Sequence, residues 1–304
     1  MANIFLANTD EAYKIKVLIE MLCNTIKLAC FEISSRGIFL KTTDNEDKLL
    51  IDISLKRESF KKFICRKTMY IGLNVIHLHK MIKSIKKKES ITMYISEDRP
   101  SDLAISIIQS DCNHKNTSYV KIQSVQNVDI NIPSGYKYPI IIPSSNFQKL
   151  VKSINNAYDK VEITSIYGWI RFLCDAGEVY SREIEFGEFD ITPEMKKDNG
   201  VTLESILSID KQIRKTGVVP EDWYHCSFYT YQLFQLIKMT GLSTNMKFYI
   251  TPGFPLMMSI NVGSLGTLTV YIKSIEQVND REDKNQEEKI NINDFELSSD
   301  DDYD

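Results

Sequence analysis

The sequence is poor in the residues that build catalytic and metal centres. It has four histidines, and its six cysteines stand singly, with no C-x-x-C pair and no regular spacing. Scattered cysteines are typical of reduced core thiols, so a disulfide framework is not expected. The glycine-rich phosphate loops, the H-E-x-x-H zinc motif and the G-x-S-x-G nucleophile elbow are also absent. We therefore expect a protein that is not an enzyme and that binds no metal and no cofactor.

Two cysteine and histidine pairs leave a metal site open as a remote alternative. Cys112 and His114 lie close together, as do His225 and Cys226, but neither pair has the spacing of a structural zinc site. The acidic run at residues 300–302 lies in a segment too flexible to preorganise a metal ion. A metal-dependent enzyme acting on nucleic acid is therefore the remote alternative.

Long apolar runs are missing as well. No segment is long enough to span a bilayer, and the first residues lack both a basic and an apolar signal region, so neither secretion nor membrane insertion is expected. With 43% hydrophobic residues, the chain can bury a sizeable core. The formal net charge of −4 hides an uneven distribution, because residues 277–304 are rich in acid. We expect this tail to be disordered and the folded body to be nearer neutral.

The two halves of the sequence repeat one pattern. Residues 32–40 and 162–172 both read as a strand, a glycine-bearing tight turn and a second strand. A helix with apolar residues at i, i+3, i+4 and i+7 precedes each hairpin, and each half carries a later helix of the same kind. The four apolar stripes are Ile15, Leu18, Ile19 and Leu22; Leu78, Met81, Ile82 and Ile85; Phe147, Leu150, Val151 and Ile154; and Leu233, Leu236, Ile237 and Thr240, with Gly241 as a C-cap.

Strand-like runs separate the helices, and they are Leu49–Leu55, Ile91–Ile95, Leu103–Ile108, Val179–Phe186, Met246–Ile250, Leu256–Val262 and Leu268–Ile275. The order of helix, strands, helix and strands, taken twice, predicts two similar α+β domains with helices on one face of antiparallel sheets. We place the domains at residues 1–123 and 138–276, joined by a connector at 124–137 that contains Pro133, Ser134 and Gly135. The second domain carries an inserted loop at about residues 187–222.

Lysines recur on the helix faces opposite the apolar stripes. Positions i+2 and i+5 from the first stripe residue are held by Lys80, Lys83, Lys149 and Lys152, and by Lys238 at i+5 only. At 100° per residue these positions point away from the core. The first helix departs from this register, with Val17 and Glu20 at the two positions. Any single lysine could instead belong to an ordinary solvated helix face. If the lysines share one surface, however, they predict salt-sensitive, sequence-independent contact with duplex DNA.

Three segments resemble the proliferating cell nuclear antigen (PCNA) family of sliding clamps. They are residues 28–40, LACFEISSRGIFL; residues 72–75, GLNV, before the lysine-bearing helix; and residues 142–147, IPSSNF. The similarity runs from about residue 10 to 186 and resumes from about 224 to 276. It implies the DNA clamp fold, with three subunits that close head to tail into a pseudo-six-fold ring around DNA.

The resemblance also assigns roles to individual residues. Channel-facing basic positions match Lys16, Lys80, Lys83, Lys149, Lys152 and Lys238. At the subunit boundary, the strand at 117–123 would pair with a neighbour's strand at 179–186, and the boundary residues are Tyr119, Lys121, Tyr180 and Arg182. This pairing between subunits would remove two exposed sheet edges. The alternative for each strand is that it pairs within its own chain or stays at a solvated edge.

In this family, partners dock a short motif that ends in aromatic residues into a pocket beneath the connector. The matching positions are Thr43, Lys48, Ile130, Ile132, Pro133, Tyr136, Pro255, Tyr271 and Ile272. The family usually has apolar side chains where Thr43 and Lys48 stand. We therefore expect an altered motif preference or weaker binding.

The resemblance implies a DNA polymerase processivity factor that tethers replication and repair enzymes to DNA. Its partners would be double-stranded DNA, further copies of the chain in a homotrimer, and a DNA polymerase, clamp loader, ligase and nuclease, with no membrane. A monomeric processivity factor, or a checkpoint-type clamp subunit that needs other chains, is the alternative. Heavy use of Lys, Ile and Asn favours an AT-rich genome such as that of a large DNA virus. The expected location is the nucleus or a viral replication compartment in the cytoplasm.

Overall fold

The computed structural model describes residues 2–109, 114–125, 130–155, 157–166, 168–177, 179–187, 213 and 220–280. The first half contains β1 (Asn3–Thr9), α1 (Ala12–Thr25), β2 (Leu28–Ser34), β3 (Gly37–Thr43), β4 (Leu49–Lys56), β5 (Lys62–Cys65), β6 (Met69–Asn74), α2 (Val75–Ile82), β7 (Ser90–Ser96), β8 (Asp102–Gln109) and β9 (His114–Lys121). The second half contains β10 (Ile140–Pro143), α3 (Ser144–Ile154), β11 (Lys160–Ile166), β12 (Trp169–Asp175), β13 (Ser181–Phe186), β14 (Tyr224–Tyr229), α4 (Thr230–Gln235), a 3-10 helix (Ile237–Gly241), β15 (Asn245–Tyr249), β16 (Leu256–Asn261) and β17 (Gly266–Ile272). Most of the expected insert, and the tail from residue 281, lie outside the described residues.

The two halves repeat the same order of strand pairings. In the first half, β6, β2, β3 and β4 are neighbours in that order, and so are β1, β7, β8 and β9. In the second half, β14, β11, β12 and β13 form the matching series, and β10, β15, β16 and β17 form the other. These pairings are antiparallel. The predicted α+β fold with two similar halves is therefore confirmed.

One antiparallel ladder joins the halves within a single sheet. β17 pairs with β4 from Gly266 opposite Leu55 to Ile272 opposite Leu49, so that eight strands follow one another in the order β10, β15, β16, β17, β4, β3, β2, β6. Gly266 has a φ of 158°, and a Cβ there would lie 1.9 Å from the carbonyl oxygen of Ser54. Any side chain at Gly266 would push β17 away from β4, which explains the glycine at this position.

The helices pack side by side in one layer against the sheets. α2 contacts α1, α1 contacts α4 and the 3-10 helix, and these two contact α3. The predicted stripes of α1 and α3 are confirmed, because all eight side chains are at most 5% exposed. Burying one such side chain contributes about 1.5–3 kcal/mol, so these stripes hold the layer in place. Within the described residues, no helix is long and apolar enough to cross a membrane.

The helix predicted over the last stripe is divided in the structure. α4 ends at Gln235 and a 3-10 helix follows, so Gly241 ends that 3-10 helix and does not cap an α-helix. After Gln235 the backbone tightens from 3.6 residues per turn to the three residues per turn of a 3-10 helix. Apolar residues spaced by three then share one buried face, and each is at most 1% exposed: Leu233, Leu236, Met239 and Leu242.

Several predicted boundaries are also corrected. α2 ends at Ile82, and Ile85 is buried beyond it, whereas Met81 lies within α2 but is 37% exposed and does not belong to the buried stripe. β9 ends at Lys121 instead of residue 123, and β13 begins at Ser181, after the exposed Val179. The last strand ends at Ile272, not Ile275.

A capping box explains why the chain turns helical after that last strand. The Gln277 side-chain oxygen accepts from the Ser274 amide at 3.0 Å, and the Ser274 hydroxyl accepts from the Gln277 amide at 3.2 Å. Such a reciprocal pair starts a helix, and residues 275–280 are helical. The acidic tail was expected from residue 277, so its first four residues continue this helix.

Candidate nucleic-acid interface

Five of the six predicted DNA-binding lysines lie exposed on the helix layer, and they are Lys80, Lys83, Lys149, Lys152 and Lys238. The helices that carry them contact one another in series, so these lysines share one surface. Among the described residues, the four lysines of α2 and α3 and of the turn after α2 have no ion-pair partner. Their ammonium groups are therefore available for phosphate.

Two of the six predicted lysines, Lys238 and Lys16, are already engaged. The Nζ atom of Lys238 lies 2.7 Å from Oε1 of Glu20, the α1 residue that breaks the lysine register. Lys16 is half-buried, and its Nζ donates to the carbonyl oxygen of Ile85 at 3.1 Å. Both contacts tie neighbouring helices together, so these two lysines contribute to the layer itself as well as to its charge.

Two of the strands at sheet edges are β9 and β13. β9 ends the sheet ordered β5, β1, β7, β8, β9, and β13 ends the sheet ordered β13, β12, β11, β14. In the described part of the chain, neither strand has a second neighbour, and an open edge is a template for pairing with another chain.

The predicted boundary residues lie along these edges. Tyr119 on β9 is 48% exposed and lies under the Arg99 guanidinium, which is 4.8 Å from the ring centroid. Lys121 forms an ion pair with Asp102 at 2.8 Å. Tyr180, just before β13, is 50% exposed, and Arg182 on β13 is also exposed. Both edges thus present an accessible tyrosine.

The connector is fastened to the last strands by Tyr136. Its hydroxyl donates to the carbonyl oxygen of Pro255 at 2.8 Å, and its ring centroid lies 5.4 Å from that of Phe254 and 6.0 Å from that of Tyr271. Burial raises the pKa of Tyr136 above its ordinary value and raises the pKa of Tyr271 to about 12. The protonated Tyr136 hydroxyl is the donor that holds the connector to the Pro255 carbonyl.

Five of the predicted pocket residues lie on the connector or in the nearby turn, and one prediction is corrected. Half-buried positions that line the connector and the nearby turn are Ile130, Ile132, Pro133, Tyr136 and Pro255. Ile272 is wholly buried in the core, so it cannot line a surface pocket. Tyr271 is only 6% exposed.

The loop between β3 and β4 places Lys48 against an aromatic pair. Its Nζ lies 2.7 Å from Glu46 and 5.7 Å from the ring centroid of Tyr229, which stacks on Tyr231 at 5.5 Å. The hydrogen bond to Glu46 is the main cause of the raised pKa of Lys48. Thr43 is half-buried and lies opposite Leu50 in the β3–β4 hairpin. Sequence reasoning missed both tyrosines, although the run Tyr-Thr-Tyr at the start of α4 was a visible signal.

Metal-ligating residues do not cluster in the described part of the chain. No group of three His, Cys, Asp or Glu side chains there could hold a metal ion. The Nδ1 atom of His225 lies 3.1 Å from the Thr164 hydroxyl, which gives this ring a polar partner. Cys112 lies outside the described residues.

Two matching halves that share one sheet, with their helices gathered in a single lysine-bearing layer, define the DNA clamp fold. Residues 4–131 match the family model of the N-terminal domain of proliferating cell nuclear antigen. The chain is therefore similar to the PCNA family of sliding clamps.

Relatives from three distant sources are similar over nearly their whole length. Proliferating cell nuclear antigen of Chaetomium thermophilum is 20% identical over 88% of this chain and 96% of its own length. The protein of the same name from Dictyostelium discoideum is 23% identical over 88% and 98%. A probable DNA polymerase sliding clamp of Paramecium bursaria Chlorella virus 1 is 22% identical over 90% and 97%.

Proposed function

We propose that this chain is one subunit of a sliding clamp, in which three copies close into a ring around duplex DNA and tether a DNA polymerase to it. One observation carries the proposal. β4 and β17 pair inside the chain, whereas the strands that hold the same places in the opposite halves, β13 and β9, stand at sheet edges.

The pairing of β4 with β17 inside the chain suggests how two subunits would pair. If β13 of one copy pairs with β9 of the next as β4 pairs with β17, every subunit uses two different edges. A heterologous joint of this kind produces a ring when its rotation closes, and it leaves neither edge open. Three copies then present six similar halves around the hole.

The helix layer accounts for the interaction with DNA. In such a ring the layer faces the hole, where the free lysines of α2 and α3 meet phosphates. Lysine contacts with phosphates carry no base sequence, so the ring is held on DNA without being fixed at one site.

Retention on closed DNA tests this topology directly. The protein is loaded with a clamp loader onto nicked circular duplex, and the complex is passed through a gel-filtration column. We expect the protein to remain with the DNA and to be released when a restriction enzyme linearises the circle, since a ring slides off free ends. A linear duplex with both ends blocked by bound protein is the control and should restore retention. Equal loss from circular and linear DNA would contradict a ring, and a strict monomer in solution would favour the monomeric or checkpoint-type alternative.

The second part of the proposal is a partner site between the connector and the loop that carries Lys48. There, polymerase, clamp loader, ligase and nuclease would each dock a short peptide, in the nucleus or in a viral replication compartment. Support comes from the half-buried apolar side chains of the connector and of the nearby turn, and from the fixed position of Tyr136.

Replacing Lys48 with valine should strengthen the binding of a synthetic peptide that ends in two aromatic residues. The substitution removes a charged group and its Glu46 pairing from the predicted rim and adds apolar surface. A gain of about 1 kcal/mol, or roughly fivefold in affinity, is expected from burial of that surface. Fluorescence anisotropy of the labelled peptide measures it, with Lys41→Val, an exposed lysine on β3, as control. An unchanged affinity would place the peptide elsewhere.

A further inference from the structure

The repeat between the two halves continues beyond their last strands. In the first half, the chain leaves β9 and returns to β6, where the Gln123 amide donates to the carbonyl oxygen of Gly72 at 2.8 Å. In the second half, the chain leaves β17 and returns to β14, where the Ser227 amide donates to the carboxylate oxygens of Glu276 at 3.0 and 3.2 Å. Gly72 and Ser227 both stand three residues before the helix that follows their strand. The segment after β17 therefore starts on the path that the connector takes after β9.

The connector shows how far this path extends. Val125 lies beside β6, since only 2.3 Å would separate its side chain from a Cβ at Gly72. Tyr136 lies beside β16 and β17, where it contacts Pro255 and Tyr271. Between Val125 and Tyr136, which are 11 positions apart in sequence, the connector advances five strand positions, from β6 past β2, β3, β4 and β17 to β16. It therefore crosses the joint between β4 and β17.

The same advance from Glu276 would cross the joint between subunits in the proposed ring. β14, β11, β12 and β13 hold the places of β6, β2, β3 and β4, and the next two strands would be β9 and β8 of the neighbouring copy. Five strand spacings are about 24 Å, which the helix to Asp280 and seven extended residues can cover. The eleventh residue after Glu276 is Glu287. It would reach the counterpart of the β15–β16 turn, which is the β7–β8 turn at residues 97–101.

The β7–β8 turn presents an arginine without an acidic partner. Arg99 is exposed, and its guanidinium lies 4.8 Å from the ring centroid of Tyr119 on the open edge of β9. Glu97 in the same turn pairs with Arg66 instead. Within the described residues, Arg99 has no carboxylate partner. A guanidinium held in place on an aromatic ring keeps its N–H groups for a carboxylate.

The segment that would reach this arginine is acidic. Residues 281–304 carry ten acidic and three basic side chains, a net charge of −7, although the whole chain has only −4. The remainder of the chain is therefore at +3. Glu287 and Glu288 stand next to each other at the predicted point of contact. The charges of the two surfaces are thus complementary.

We infer that residues 281–288 of each chain cross the joint between subunits and bind the β7–β8 turn of the next copy, where Glu287 and Glu288 pair with Arg99. The inference rests on the proposed function, because the ring is what brings β13 of one copy beside β9 of another. The segment would act as a strap across each joint. Exposed ion pairs are weak and screened by salt, so the strap would be released at high salt, whereas the connector is covalent.

Disulfide trapping between two chains tests the inference. Full-length chains with Glu287→Cys and full-length chains with Arg99→Cys are co-expressed, oxidised and run on a non-reducing gel. We expect a band of twice the chain mass that needs both substitutions. Arg36→Cys, at an exposed arginine in the β2–β3 turn, replaces Arg99→Cys in the matched control and should give only the background of the native cysteines.

Sedimentation velocity of the wild type separates the two ways in which this test can fail. If the wild type is a trimer and the mixed chains give no more crosslink than the control, the strap is overturned while the ring stands. If the wild type is a monomer, the ring fails and the strap fails with it.

An exchange of charges supplies a second readout. Replacing Glu287 and Glu288 with lysine should raise the dissociation constant of the joint about two- to fivefold, as expected for the loss of exposed ion pairs. Adding Arg99→Glu to that variant should restore the wild-type value, because the pairs then form with their signs reversed. Asp300→Lys with Asp301→Lys makes the same change of charge farther along the tail and should leave the joint unchanged. A lack of recovery in the exchanged variant would rule out Arg99 as the contact.

Discussion

In the proposed ring, replacing Tyr119 and Tyr180 together with aspartate should convert the assembly into monomers at micromolar concentration. The two tyrosines are 48% and 50% exposed on the edges that the proposed ring would join. Aromatic anchors in the centre of an interface cost about 2 kcal/mol or more each when they are removed. Losing two of them raises the dissociation constant about 10³-fold, and the like charges of the aspartates add repulsion. Sedimentation velocity would show the mass fall to that of one chain.

A third tyrosine provides the control for this experiment. Tyr138 is 93% exposed at the end of the connector, away from both edges, so Tyr138→Asp makes the same change without touching the joint. Its solution mass should match that of wild type. Circular dichroism would show that the double variant is folded, which matters because the Tyr180 ring packs on Tyr158 at 5.3 Å. A folded double variant that keeps the wild-type mass would rule out the β9–β13 joint.

Changing Lys80, Lys83, Lys149 and Lys152 to alanine should remove most of the salt dependence of DNA binding. Each phosphate neutralised by a lysine contributes about 0.9 to the slope of log affinity against log salt. Four contacts in one subunit would therefore weaken wild-type binding about 10²-fold between 50 and 200 mM salt. The variant should show a nearly flat profile in a duplex-binding titration, and its retention on circular DNA should shorten.

The control is a variant with the same loss of charge on strands and turns, away from the helix layer. Four exposed lysines meet this description, and they are Lys41, Lys56, Lys67 and Lys247. Substituting them with alanine should leave the slope close to that of wild type. If both variants lose the same slope, binding depends on net charge alone, and the helix layer is not the DNA surface.

The parts of the fold that sequence could predict are those with a strong local period. The stripes of α1 and α3 repeat at 3.6 residues over three turns, and all their members are buried. The last helix was mispredicted because its apolar residues fit two periods, and packing selected the spacing of three that buries Met239. Short strands such as β5 and β10 were missed, since four residues give too little alternation to be distinguished from a loop.

The candidate sites were predictable to the extent that they follow from helix geometry. The exposed lysines of α2 and α3 were found because register fixes which face a side chain occupies. The contact of Lys14 with Gly241 and that of Lys48 with Tyr229 each join segments more than 180 residues apart and leave no local pattern. The burial of Ile272 likewise follows from the pairing of β17 with β4, which joins distant parts of the chain.

The shared eight-stranded sheet has a mechanical consequence. The ladder between β4 and β17 aligns seven residue pairs, from Gly266–Leu55 to Ile272–Leu49, and the connector adds a covalent tether beside it. Pulling the halves apart therefore loads many hydrogen bonds in parallel, so one chain behaves as a single stiff plate. In the proposed ring, the joints between chains have no such tether. Elastic strain would concentrate there, and those joints, not the middle of a chain, are where the ring would open to admit DNA.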